Sequence, residues 1–159
     1  MTVTFGGYSP GQVGRICQLQ ADYYAKNWGF DQRFEGRVAE DMGAFIATYD
    51  NTRDLFLTAI VEGEVEGGIT VCVEGNNTAR IRWFIVSDKL RGSGAGRMLF
   101  EKAMGFIYQS PVTCVTLTTF EGLDAARALY ESVGFKLTHS APGATWGPVM
   151  TEQSFELVL

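Results

Sequence analysis

The sequence predicts a mixed α/β domain layered on a single sheet, and three observations carry that prediction. Between residues 54 and 86 the apolar side chains fall in strand-like runs broken by two tight turns, whereas the segments on either side repeat them at helical spacing. A strand over residues 78–86 and a β-branched one over 112–119 are joined by one helix of crossover length. Those two should therefore lie parallel, while the strands before them run antiparallel. At 159 residues, 46% of them hydrophobic, the chain is long enough for one well-packed core and short for two, so residues 1–159 are read as a single domain.

In chain order, residues 2–5 are β-prone and closed by Gly6-Gly7, a first short strand. Pro10 suits the first turn of a helix whose apolar groups, Val13, Ile16, Leu19 and Tyr23 among them, recur up to Lys26. Asn27-Trp28-Gly29-Phe30 interrupts it, and Asp31 is the natural N-cap of a second helix. In that helix Phe34, Val38, Met42 and Phe45 repeat at three- and four-residue steps until Tyr49-Asp50-Asn51. Residues 55–61, a turn at Glu62-Gly63-Glu64 and residues 65–73 form a hairpin. A second turn at Glu74-Gly75-Asn76-Asn77 leads into the 78–86 strand, whose end meets a glycine-dense loop. The helix after the loop, residues 97–108, is stopped by Ser110-Pro111. Residues 112–119 are the next strand, 123–132 a helix closed by Gly134, 135–139 a strand, 140–148 a loop and 155–159 a last strand.

Composition excludes several function classes. The net charge of -5 with no basic stripe argues against nucleic acid, whose binding needs clustered Lys and Arg. Cys17, Cys72 and Cys114 are odd in number and far apart, which suits buried thiols in a reducing compartment better than a disulfide framework or a zinc site. His139 is the only histidine, so no metal site is expected, and a Cys-His nucleophilic pair would need it to meet a distant cysteine. The first ten residues carry no basic region followed by an apolar run, and no apolar stretch approaches the roughly 20 residues that span a bilayer. The expectation is a cytoplasmic protein with no membrane partner.

The stretch from Val86 to Arg97 is the chemical centre of the chain. Glycines at 92, 94 and 96 let the backbone approach a ligand, and the helix that follows offers unpaired N–H groups and the positive end of its dipole. A diphosphate is the natural guest. The element order does not alternate β and α throughout, which excludes a dinucleotide fold. No Gly-Lys-Ser or Gly-Lys-Thr closes the loop, which excludes a nucleotide-triphosphate loop of that kind.

Arg91-x-x-Gly94-x-Gly96 after a β-strand resembles the acetyl-CoA pyrophosphate loop of the GNAT superfamily of N-acetyltransferases. Ala126-x-x-Leu129-Tyr130-Glu131-x-x-Gly134-Phe135 is similar to the second motif of that family, one strand downstream. The resemblance implies the GNAT acyl-CoA N-acyltransferase fold, a mostly antiparallel sheet splayed at a bulge with helices on both faces. It implies acetyl-CoA as co-substrate and no metal. The backbone of Arg91, Gly92, Ser93, Gly94, Ala95 and Gly96, with Arg97 at the edge, would hold the pyrophosphate. Phe84, Ile85 and Val86 would pair with pantetheine, and an N–H near the bulge would face the thioester oxygen. Tyr130 would protonate the departing thiolate, and Leu123 and Ala126 would border the cofactor. Many relatives carry Asn where this chain has Leu123, which puts that one contact in doubt. Asp88 stands where proline is common.

Substrate signals are thinner. Trp28-Gly29-Phe30-Asp31-x-x-Phe34-Glu35 is similar to a segment in the acetyltransferase halves of bacterial winged-helix/acetyltransferase fusion proteins. Trp28, Phe30, Phe34, Trp83 and Trp146 are the candidate acceptor-side aromatics, with core packing as the competing explanation. Arg80 and Arg82 share one strand face and would suit an acceptor carboxylate. No motif dictates a base for the attacking amine; Asp54, Glu74 and Glu121 lie near strand ends as solvated turn residues, and water can take the proton. The favoured reading is transfer of acetyl to a small amine or amino acid by direct attack on the thioester. A catalytically weak acyl-CoA sensor and a protein lysine or N-terminal acetyltransferase stay as alternatives, and a homodimer is left open.

Overall fold

A computed structural model describes residues 2–159. Its elements are β1 (Thr4–Gly6), α1 (Gln12–Trp28), α2 (Gln32–Ala47), β2 (Leu55–Val61), β3 (Glu64–Val73), β4 (Thr78–Val86), α3 (Ala95–Tyr108), β5 (Cys114–Phe120), α4 (Asp124–Ser132), β6 (Lys136–Gly143) and β7 (Met150–Val158). The seven strands make one sheet in the order β1-β2-β3-β4-β5-β7-β6. β4 and β5 pair in parallel, as the single crossover helix α3 requires, and every other neighbouring pair is antiparallel.

Helices cover both faces. On one, Leu99, Phe100, Ala103, Met104 and Ile107 of α3 and Tyr130 of α4 pack against Ile69, Val71, Val115, Leu117 and Phe155 of the sheet. On the other, Ile16 and Leu19 of α1 and Phe34, Val38 and Met42 of α2 meet Phe56, Ile85 and Phe120. Helix α1 lies so close to β3 that a Cβ at Gly68 would come within 2.7 Å of Ile16 Cδ1 and 3.2 Å of the Leu57 carbonyl. Only glycine permits that approach.

Several boundaries differ from the sequence reading for identifiable reasons. Helix α1 starts after Pro10, runs through Asn27 and Trp28, and stops at Gly29, whose left-handed conformation (φ 69) lets its N–H reach the Ala25 carbonyl. Asp31 caps α2 as expected, accepting from the Arg33 N–H at 3.0 Å. Helix α3 begins two residues earlier than expected, inside the glycine loop. The first four residues of the segment expected as a loop over 140–148 are strand, because Ser140, Ala141, Pro142 and Gly143 pair with Gln153, Glu152, Thr151 and Met150. Pro142 is tolerated there because β6 is the sheet edge.

Candidate active site

The site exists because β4 and β5 part company. They pair only from Thr78 to Arg80 on one strand and Cys114 to Thr116 on the other. On the opposite side of β4, Arg82 faces Thr70 while Ile85 faces Gly68, so Trp83 and Phe84 together oppose Ile69. That is a β-bulge, and Trp83 takes the strain of it at φ 51, a region bulky side chains rarely enter. The bulge bends the end of β4 away from β5. A cavity of about 1000 Å³ opens between them, walled by Phe84, Ile85 and Val86 on one side and Leu117 to Phe120 on the other.

The glycine loop closes one end of this cavity. Gly94 is the N-cap of α3 at φ 87, with no side chain of its own to cap the helix and no acidic residue in the first turn. Three of the backbone donors expected to hold the pyrophosphate are already bonded within the loop. The Arg91 N–H is committed to the Ser87 carbonyl, the Ser93 N–H to the Leu90 carbonyl and the Ala95 N–H to Ser93 Oγ. These three are therefore unavailable as backbone phosphate donors. The N–H groups of Gly92, Gly94, Gly96 and Arg97 meet no acceptor among the described residues. Four free donors at the positive end of a 14-residue helix fit an anion of diphosphate size. Arg91 itself turns back, donating to the Val86 carbonyl at 2.8 Å and to Asp88 at 3.3 Å while its guanidinium lies 4.5 Å from the centre of the Tyr23 ring. It fastens the loop to the end of β4.

Helix α4 presents its N-terminal half to the same cavity through Leu123, Asp124, Ala126, Leu129 and Tyr130. Leu123 sits at the N-cap position with no side-chain cap bond, and its apolar group packs with the α1/α2 core. Tyr130 is 7% exposed, held among Phe84, Phe100, Phe135 and Phe155 with ring centres 5.7–6.5 Å away. Burial pushes its phenol well above the ordinary tyrosine range. The phenol thus keeps its proton at neutral pH. Tyr24 on α1, which in the sequence belongs to the apolar stripe of that helix, also lines the cavity. Burial raises its phenol too, with Tyr130 the next contributor and Arg91 opposing the shift.

The far half of the cavity is cationic and aromatic. Arg82 donates to Asp41 Oδ2 at 3.2 Å, and Arg37 Nε donates to the same oxygen at 3.2 Å. Arg80 donates to Thr118 Oγ1 at 3.0 Å. Burial first, then repulsion from Arg80, lowers the pKa of the Arg82 guanidinium, which lies 4.3 Å over the Trp83 ring. Of the candidate aromatics, Phe34, Trp83 and Trp146 reach the cavity wall. Trp28 and Phe30 do not: Phe30 is 4% exposed in the core, and Trp28 packs edge-on against Phe120 at 4.9 Å. They support the wall from behind.

Asp54 is not the solvated turn residue expected. It is buried, accepts from the Val73 N–H at 2.9 Å and pairs with Arg53 at 3.0 Å, away from the cavity. Glu74 and Glu121 are exposed and outside the cavity wall. Cys72 is buried, with its thiol pushed up to about 12 chiefly by desolvation. Among the described residues no three His, Cys, Asp or Glu side chains converge as a metal site needs, and no helix is long and apolar enough to cross a membrane.

A splayed parallel pair, a diphosphate-sized anion cradle at one end and a buried tyrosine at the cleft wall form one constellation. The model of the Acetyltransferase (GNAT) family matches residues 14–135, most of the chain. The chain belongs to the GNAT family. Its fold is that of the solved members: a GNAT-family acetyltransferase from Staphylococcus aureus Mu50 superposes with a TM-score of 0.78 at 16% identity, over 99% of both chains. A putative acetyltransferase of Salmonella typhimurium, solved with its cofactor acetyl-CoA, gives 0.73 at 16% identity over 100% of this chain and 95% of that one. Among curated relatives, an N-acetylaspartate synthetase of Danio rerio is 30% identical over 104 residues, 62% of this chain. The chain spans 37% of that protein's length.

Proposed function

We propose that this chain is an acetyl-CoA-dependent N-acetyltransferase whose acceptor is a small-molecule amine, an amino acid in preference. The observation that carries the reading is the shared cavity. The free N–H groups of Gly92, Gly94, Gly96 and Arg97, the unpaired edge of β4 and the Tyr130 phenol all open onto it. Family membership supports the chemistry, and the name of the Danio rerio relative supports an amino-acid acceptor.

Each part has a physical role. Acetyl-CoA supplies an acetyl group activated as a thioester. The four loop N–H groups hold its pyrophosphate, with Arg97 adding charge at the rim. The main chain of Phe84, Ile85 and Val86, released from β5 by the bulge, pairs with the pantetheine arm as an added strand would. A main-chain N–H near Trp83 meets the negative charge that develops on the carbonyl oxygen. The amine nitrogen bonds to the acetyl carbon, the carbon–sulfur bond breaks, and Tyr130 hands its proton to the sulfur. A free thiol has a reference pKa of about 8.5 and a phenol about 10, so Tyr130 works through position rather than acid strength. The proton that the amine nitrogen sheds on attack returns through water to the Tyr130 oxygen, which restores the donor.

The experiment is thiol release from acetyl-CoA across a panel of amines, with binding of acetyl-CoA measured separately. Binding followed by release with at least one small amine is expected. Binding without release across the panel would instead make the chain an acyl-CoA sensor, and absence of binding would remove both readings.

A further inference from the structure

We propose that the acceptor is an amino dicarboxylate, an acidic amino acid whose two carboxylates are held by Arg80, Arg82 and Arg37 in the half of the cavity remote from the glycine loop. The inference deepens the acetyl-transfer reading and rests on it. Arg80 lies six residues before Val86 on β4, roughly 20 Å along the strand at about 3.3 Å per residue. It is therefore too far from the loop to serve the pyrophosphate.

Charge selects the acceptor. Arg37, Arg80 and Arg82 line the cavity, and among the described residues Asp41 is the one carboxylate bonded to them, which leaves two of the three guanidinium charges without a bonded counter-charge. The chain as a whole is at -5, so this is a local concentration and not a general basic surface. A stitch between α2 and β4 needs Asp41 and one arginine; Arg37 adds a second bond to the same carboxylate oxygen, and Arg80 bonds to the neutral Thr118, so neither brings a further negative charge with it. An acidic amino acid with its amine deprotonated for attack carries two negative charges, which matches the deficit. The same guanidiniums disfavour an ammonium, so they help the bound amine shed its proton where no protein base is at hand.

Geometry adds to charge. Asp41 Oδ2 takes one N–H from Arg82 and one from Arg37, and Thr118 takes one from Arg80. Each fork is thus oriented by a single bond and keeps further N–H groups for a ligand, the arrangement that recognises carboxylates bidentately. The Arg82 side chain is 22% exposed and that of Asp41 31%, so salt screens this pair less than it would a surface pair, while Arg37 stands more open at the cavity rim.

The test compares kcat and KM for L-aspartate and L-glutamate with L-asparagine, L-glutamine and L-alanine, in the intact protein and in Arg80→Met, Arg82→Met and Arg82→Lys. An acidic amino acid is expected to exceed its amide in kcat/KM by about 100-fold. Each methionine variant should raise the KM for the acid by about 10- to 100-fold, the worth of one or two charge-assisted hydrogen bonds. The lysine variant should fall between, keeping the charge and losing the fork. An unchanged Kd for acetyl-CoA in every variant shows that the fold has survived. Preference for an amide or a neutral amine, or methionine variants with unchanged KM, would overturn the clamp alone. Absence of thiol release with every amine would overturn the transfer reading and this inference together.

Discussion

Tyr24 of α1 and Tyr130 of α4 reach one cavity from opposite faces of the sheet, close enough that Tyr130 adds to the burial that opposes ionisation of Tyr24. Two helices separated by a closed sheet could not achieve this; the gap between β4 and β5 permits it. Both phenols are raised above the ordinary value of about 10 by burial. Above that pH the unfolded chain loses these protons while the folded chain keeps them, so the unfolded state binds fewer protons and stability falls as pH rises. Below about pH 10 the contribution is constant. Melting temperature should therefore drop from pH 9.5 to 11.5, and Tyr24→Phe and Tyr130→Phe should each flatten that drop. Slopes identical to the parent's would contradict the assigned burial.

Gly94 holds the loop in shape at φ 87. Alanine there meets no neighbour within 4 Å but strains the backbone by about 1–2 kcal/mol. Relief of that strain would rotate the free N–H groups of the cradle. Gly94→Ala should weaken acetyl-CoA binding about tenfold, read by calorimetry, with acceptor KM little changed.

Asp54 is a buried anchor for the start of β2 and the end of β3. Asp54→Ala strands the Val73 N–H and should destabilise the protein by about 2–4 kcal/mol in urea unfolding. Turnover at saturating substrate should hold in the folded fraction. A selective loss of kcat with normal stability would instead return Asp54 to the list of candidate bases.

What was legible in the sequence was what short-range chemistry specifies. The Asp31 cap is a contact two residues long, the 78–86 strand is bounded by a turn and a glycine loop, and the parallel partner of β4 follows from one crossover helix. What was not legible depends on pairing between distant segments. Residues 140–143 become strand only because β7 lies between β5 and β6 and supplies partners. Tyr24 sits in an apolar helical stripe and reads as core until the sheet is seen to open beneath it. Arg37 and Asp41 stand one helical turn apart with no motif to single them out, and only the placement of α2 against β4 brings them to Arg82. The glycine loop showed where donors would be, and only the hydrogen-bond accounting separated Gly92, Gly94, Gly96 and Arg97 from Arg91, Ser93 and Ala95.

The central claim is that the cleft between β4 and β5 is the site of acetyl transfer, with Tyr130 as proton donor. The most direct measurement is steady-state turnover of Tyr130→Phe beside its Kd for acetyl-CoA. The account predicts a loss of about 100-fold or more in kcat, the scale of a positioned acid, with Kd within about threefold of the parent. Parental kcat in a variant that still binds acetyl-CoA would contradict it.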